Sequence, residues 1–162
     1  MQAWIPIADG EAGVRQIVTR LNAMKDYYGA LPSIRAAALA IAGSRINNDQ
    51  AGHVQRLAAY VRRALVYQAD PFNAEFTQTP DVLLLQINAT GAAHGDCDDH
   101  CLLFASLAEA LGIYTQIVGV MAPGTEDWNH VICIAHPNDE PVQVDLCAKD
   151  VPQPEYEHYL AS

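Results

Sequence analysis

Between Glu11 and Tyr28 apolar residues recur every three or four positions. Val14, Ile17, Val18, Leu21 and Met24 share one side, while Arg15, Arg20 and Lys25 lie elsewhere on the wheel. The spacing predicts an amphipathic helix that Gly29 ends. Pro32 and Ser33 open a second, more apolar segment, Ile34 to Ala42, closed near Gly43. A third helix starts at the cap Asn48-Asp49 and carries Val54, Leu57, Ala58, Val61 and Leu65 as one stripe, with Arg56, Arg62 and Arg63 off it as a solvated face. Periodicity fails from Gln68 to Gly95. There Asp70-Pro71 and Thr79-Pro80 are turn dipeptides, and Val82 to Ile87 fits either a short helix or a strand. Asp98 to Leu111 reads as a helix with almost no polar face, which belongs in the middle of a domain, and Gly112 suits its C-terminal end. Tyr114 to Val120, Val131 to Ala135 and Val142 to Leu146 are rich in β-formers. Pro137-Asn138-Asp139-Glu140 separates the last two as a hairpin turn. The tail after Val151 reads as a surface wrap or a short helix. Helices first and an antiparallel sheet last predict an α+β fold.

Composition narrows the function. The chain has 162 residues, 51% of them hydrophobic and 17% charged, which suits one domain with a substantial core. Nineteen acidic against nine basic residues give a formal charge of −10. Such a surface repels phosphate backbones and anionic membranes, so neither nucleic acid nor membrane is an expected partner. No apolar run is long enough to span a bilayer, and the start, Met1 to Pro6, lacks the basic and apolar regions of a signal peptide. A cytoplasmic location with reduced thiols is expected.

All four cysteines, at 97, 101, 133 and 147, fall in the second half. Asp96 is a natural N-cap for the apolar helix, and Asp99 stands three residues later as in a carboxylate capping box. Cys97 then occupies the first helical position, where free N–H groups and the helix dipole favour a thiolate. Asp96, Asp98 and Asp99 oppose that effect, so an activated thiol here needs a cationic partner such as histidine. If Asn138-Asp139 is a two-residue turn, His136 pairs with Pro141 and Ile132 faces Asp145. His130 then lies diagonal to Asp145 on one face, and Val131, Cys133, Ala135, Val142, Val144 and Leu146 lie on the other. Asp145 can orient His130, which can pair with Cys97 if the sheet packs on the helix N-terminus. A one-residue slip would part the two residues. The Cys97 backbone N–H is the obvious oxyanion donor, and Gln78 is a speculative second one. Cys133 reads as core, while Cys147 falls on the side of His130.

Gly95-Asp96-Cys97-Asp98-Asp99-His100, running into Leu102 to Ile113, resembles the cysteine helix of the transglutaminase-like superfamily. Asn129-His130-Val131-Ile132-Cys133-Ile134 resembles its histidine strand and Val142-Gln143-Val144-Asp145-Leu146 its aspartate strand. The order and the spacings, 33 and then 15 residues, agree. Val66-Tyr67, Asp70-Pro71, Glu75 and Gln78-Thr79-Pro80 resemble the approach segment of short bacteriophage and prophage members. The resemblance covers about residues 50 to 147. It implies a papain-like core: N-terminal helices over 1–66, a catalytic part over 67–150 whose cysteine helix packs on the sheet, and a tail over 151–162. It also implies a Cys97-His130-Asp145 triad acting on an amide bond of a protein or peptide, as a protease or amidase if water is the acceptor and as a transglutaminase-like acyltransferase if an amine is, with no cofactor and no metal. Two departures stand out: Cys101 replaces a small alanine, and no aromatic precedes the aspartate strand. In a phage the partners would be other virion proteins and the location the host cytoplasm or the virion. The same family includes members without turnover, so a virion assembly protein that keeps the fold is the alternative. A lesser alternative is a zinc site built from His94, Cys97, His100 and Cys101 with Cys133, Cys147 or His130.

Overall fold

The computed structural model describes residues 6–44, 48–71, 74–148, 154, 156 and 159–162. The start, Met1 to Ile5, and much of the tail after Val151 fall outside the described residues.

Among the described residues, five α-helices precede or interrupt the strands: α1 (Gly10–Gly29), α2 (Pro32–Ala42), α3 (Gln50–Ala64), α4 (Pro80–Thr90) and α5 (Cys97–Ala110). The undecided stretch at Val82 is therefore helical. Pro80 sits in its first turn, and Gly91 ends it with φ 87° in the left-handed region. Two three-residue strands, β1 (Leu65–Tyr67) and β2 (Ala93–Gly95), pair in parallel, Leu65 opposite Ala93 and Tyr67 opposite Gly95. The main sheet holds β3 (Thr115–Met121), β4 (Trp128–Ala135), β5 (Val142–Val144) and β6 (Tyr159–Leu160), antiparallel in the order β5-β4-β3-β6.

Helix α5 is the axis of the domain. From Asp98 to Ala108 every side chain is buried, and α1, α2, α3, α4 and strands β3 and β4 pack around it. An all-round apolar surface is stable only in such a position. Its C-terminus is a Schellman motif: the Ile113 N–H reaches the Ala108 carbonyl at 3.0 Å and the Gly112 N–H the Glu109 carbonyl at 2.8 Å, with Gly112 at φ 77°. Lys25 does not sit on a solvated face as its wheel position implies. It is 3% exposed, with Nζ 2.9 Å from Glu109 and 2.7 Å from Asp26. Burial lowers its pKa, but the two carboxylates more than offset this and keep the ammonium charged.

The hairpin β4–β5 has the expected register. Cys133 pairs with Val144 and Ala135 with Val142. Asn138 (φ 53°, ψ 37°) and Asp139 (φ 66°) form a two-residue turn with both residues left-handed, closed by the Glu140 N–H on the Pro137 carbonyl at 3.2 Å. Strand β5 is shorter than Val142 to Leu146 because the Asp145 side chain accepts from the N–H groups of Cys147 (3.0 Å) and Ala148 (3.2 Å), which turns the chain away. The tail contributes an edge strand instead of a helix: Tyr159 and Leu160 pair with Val120 and Gly119 of β3.

Candidate active site

Cys97 is the first residue of α5. The cap beneath it is the capping box that the spacing predicts. Asp96 Oδ1 accepts from the N–H groups of Asp98 (3.0 Å) and Asp99 (3.4 Å), and Asp99 Oδ2 accepts from the Asp96 N–H (3.3 Å). The cap leaves the Cys97 N–H without an acceptor among the described residues. Gly95 is required next to it, since a Cβ there would stand 2.4 Å from Asp99 Oδ2.

Gln78, the second suggested donor, is occupied elsewhere. Its backbone N–H and side-chain amide bind the Asp99 carboxylate at 2.7 and 3.4 Å, and the amide also donates to the His94 carbonyl at 2.6 Å. Gln78 is not among the residues lining the cleft at Cys97. It braces the approach segment against the cap.

His130 lies on β4 beside a bulge. Val120 faces His130 while Met121 faces Trp128, so Asn129 is the extra residue, its Oδ1 held by the Ala122 N–H at 3.2 Å. Bulges re-aim neighbouring side chains, and here Trp128, Asn129, His130 and Val131 all line one cleft with Cys97. The cleft measures about 260 Å³, small for a ligand pocket and large enough for one extended side chain.

Asp145 follows β5. Its carboxylate lies 3.1 and 3.2 Å from His130 Nε2 and 2.6 Å from the Tyr156 hydroxyl. Burial pushes the Asp145 carboxyl up, but the bonds from His130 and Tyr156, the His130 charge and the Cys147 N–H outweigh it and hold the group below the usual carboxylate range. An ionised carboxylate only accepts, so Nε2 carries the hydrogen and Nδ1 of a neutral ring carries the lone pair. The carbonyl of Asp145 is also fixed, by Arg62 Nη2 at 2.8 Å, so Arg62 is more than a solvated residue of α3.

The thiol does not behave as its helix position alone suggests. Burial pushes the Cys97 thiol well up, and the Asp98 and Asp96 charges add to this; the Val131 N–H, hydrogen-bonded to the sulfur, works against it. Cys97 Sγ lies 3.9 Å from Asp98 Oδ1. The net direction disfavours the thiolate, so the helix position alone does not activate this sulfur. The contact with Val131, next in chain to His130, brings β4 directly against the sulfur.

The other three sulfurs and two nearby imidazoles lie in different surroundings. Cys101 and Cys133 are buried, their Sγ atoms 3.4 Å from the Val131 carbonyl and 3.5 Å from the Cys101 carbonyl. Burial and then Asp145 push the Cys147 thiol up to about 12. His100 is buried against the Asp96 carbonyl through Nδ1 at 2.6 Å, and His94 is exposed on β2. Among the described residues, potential metal ligands gather as Asp96-Cys97-Asp98 and Asp70-Glu75-Asp96. The His and Cys donors considered for zinc form no such group.

Tyr156 was not legible as a site residue. It lies in an aperiodic tail, and its ring also lies tilted against His130, with centroids 6.1 Å apart. Tyr67 and Trp128, on the cleft wall, were equally silent in the pattern.

A helix N-terminus bearing cysteine, packed against an antiparallel sheet bearing histidine and followed by aspartate, defines a papain-like α+β protein. The chain belongs to the transglutaminase-like superfamily, whose family model matches residues 37–146. Among solved structures it is similar to a candidate cysteine protease from Cytophaga hutchinsonii, with a TM-score of 0.52 and 16% identity over 70% of this chain. The match covers 36% of that protein, so this chain corresponds to about a third of it, and the likeness is one of fold. Among curated proteins none matches. No helix among the described residues is long and apolar enough to cross a membrane.

Proposed function

We propose that the protein is a cysteine hydrolase that opens an amide bond of a protein or peptide through Cys97, His130 and Asp145. Nδ1 of His130 takes the thiol proton as Sγ bonds to the carbonyl carbon, and the oxyanion forms beside the Cys97 N–H. The imidazolium then gives that proton to the leaving nitrogen, the C–N bond breaks, and a thioester remains. Water, deprotonated by the same nitrogen, cleaves the thioester and returns the thiol. Asp145 fixes the tautomer and offsets the imidazolium charge. No cofactor enters this sequence. The observation that supports the reading best is the His130–Asp145 pair with its Nε2 committed, in one cleft with Cys97. An association with virion proteins, in a phage or prophage setting, rests on the approach segment's resemblance alone.

The test is alkylation by iodoacetamide followed by peptide mapping. Cys97 is expected to react faster than Cys147 at neutral pH, and His130→Ala is expected to slow it by about tenfold or more, as removal of a general base does. Equal rates in the two proteins would overturn the assignment. Digestion of a denatured-protein mixture, lost in Cys97→Ala, reports the hydrolysis itself.

A further inference from the structure

Four carboxylates share the cleft with the thiol. Asp70 and Glu75 come from the approach segment, Asp96 and Asp98 from the head of α5, and Tyr67 and Trp128 add aromatic walls; among the described residues no lysine or arginine lines it. Asp70, Glu75 and Asp96 each bring a carboxylate oxygen within 4.8 Å of the others. Asp98 is 5% exposed, and its Oδ2 has no hydrogen-bond partner among the described residues. A buried carboxylate in that condition is costly unless something charged is meant to meet it. Burial first, and then mutual repulsion among the four groups, raises the pKa of Asp96, Asp98 and Glu75. Arg20 is the cation whose field Glu75 feels. Among the described residues the lining thus offers four carboxylates and no lysine or arginine, and its aromatic faces suit a cation as well.

Building on the hydrolase reading, we propose that this cleft recognises a protonated amine or guanidinium, a lysine or arginine side chain, carried by the peptide next to the amide that Cys97 attacks. The charge sits on the acyl donor and not on an attacking amine. Carboxylates this close keep an amine in its ammonium form, which has no lone pair for attack. They thereby favour water as the acceptor. Attraction over a few ångströms in a partly dry cleft acts without direct contact, so each of the four groups contributes.

The experiment protects Cys97 of the full chain from iodoacetamide with small amides. N-acetyl-lysine methylamide is compared with its norleucine analogue, and N-acetyl-arginine methylamide with citrulline, alongside calcium and zinc chloride. The two cationic amides are expected to slow Cys97 alkylation about threefold or more beyond their neutral counterparts, with the difference shrinking at high salt. Glu75→Gln, at the exposed rim, is expected to remove most of that difference, and Asp98→Asn more still where it folds. Equal protection by charged and neutral amides, no protection at all, or protection by the divalent ions alone would overturn the proposal. The outcome is separable from the hydrolase reading. If His130→Ala leaves alkylation unchanged while lysine amide still protects, cation binding stands and the nucleophile assignment falls. A His130-dependent thiol that ignores the charge of the amide gives the reverse.

Discussion

The two ends of the site are built on opposite plans. At the sheet end the aspartate is well supplied with donors: the Asp145 carboxylate receives His130, Tyr156 and two backbone N–H groups, and even its carbonyl is held by Arg62. At the helix end like charges are crowded together, and one carboxylate oxygen is left without a partner. Two buried aspartates make the difference plain. Asp145 is held below its ordinary range by its donors. Asp99, sheltered in the cap, is pushed up to about 6, chiefly by burial and then by Asp96, against the bonds from Gln78 and the Asp96 N–H. A saturated hydrogen-bond network fixes orientation, whereas an unneutralised charge stores a preference for whatever cation arrives. On the proposed reading, the sheet end serves geometry and the helix end serves selection.

The largest way to break this contrast is Asp145→Ala. It removes the acceptor for His130, Tyr156 and two backbone donors at once. We expect a loss of about 3–5 kcal/mol in stability and about 10³–10⁴-fold in hydrolysis, read by urea denaturation and by peptide turnover. An active, stable variant would mean that the network orients nothing.

The second effect is a pH dependence. Asp99 binds protons more readily folded than unfolded, so the native state carries the extra proton between its unfolded value near 4 and its folded value of about 6. Stability from this group is present at low pH and declines as pH rises through that window, by about 2–3 kcal/mol. Asp145 has the opposite sign: its contribution is present above its unfolded value and fades only as pH falls through its lowered folded value. Denaturation at pH 4.5 and 7.5 is expected to show a smaller pH slope in Asp99→Asn than in the wild type; an unchanged slope would acquit Asp99.

A smaller effect follows at the cap. Gly95→Ala presses a methyl against the Asp99 carboxylate, so the box must open, at a cost of about 1–3 kcal/mol seen as a lower Tm. Neutral behaviour would show that the loop before α5 yields freely. The smallest expected effect is Tyr156→Phe, which removes one 2.6 Å bond and leaves the others. About 1–2 kcal/mol and a fall in kcat of less than tenfold, with KM little changed, would mark Tyr156 as a positioning residue. A larger change in KM than in kcat would point to substrate contact instead.

Much of this arrangement was legible before any coordinates. The i, i+3 carboxylates around Cys97 announced the capping box, and the all-apolar helix announced its central position. Alternation along β4 and β5, given a two-residue turn at Asn138-Asp139, puts His130 and Asp145 on one side, and the hairpin has that turn and register. Other features were illegible for physical reasons. Lys25 looks solvated by spacing and is buried because Glu109, on another helix, receives it. The thiol pKa depends on burial, which no spacing encodes, and the helix dipole alone suggested the wrong direction. Gln78 could be matched to a donor role by type, but its partners, the Asp99 carboxylate and the His94 carbonyl, are set by how the loop folds back.

The chain alone determined the helices α1, α2, α3 and α5, the helices-then-sheet order and three candidate side chains with complementary chemistry, because periodicity, caps and tight turns are local and repeat along the backbone; it left Val82 to Ile87 open and did not foresee the tail strand. Only the folded molecule decided that Asp70 and Glu75 crowd Asp96 and Asp98 at one thiol, that β1 pairs with β2, and that the tail returns Tyr156 to Asp145. Those meetings join segments through aperiodic loops, where no repeating pattern carries the distance and only packing closes it.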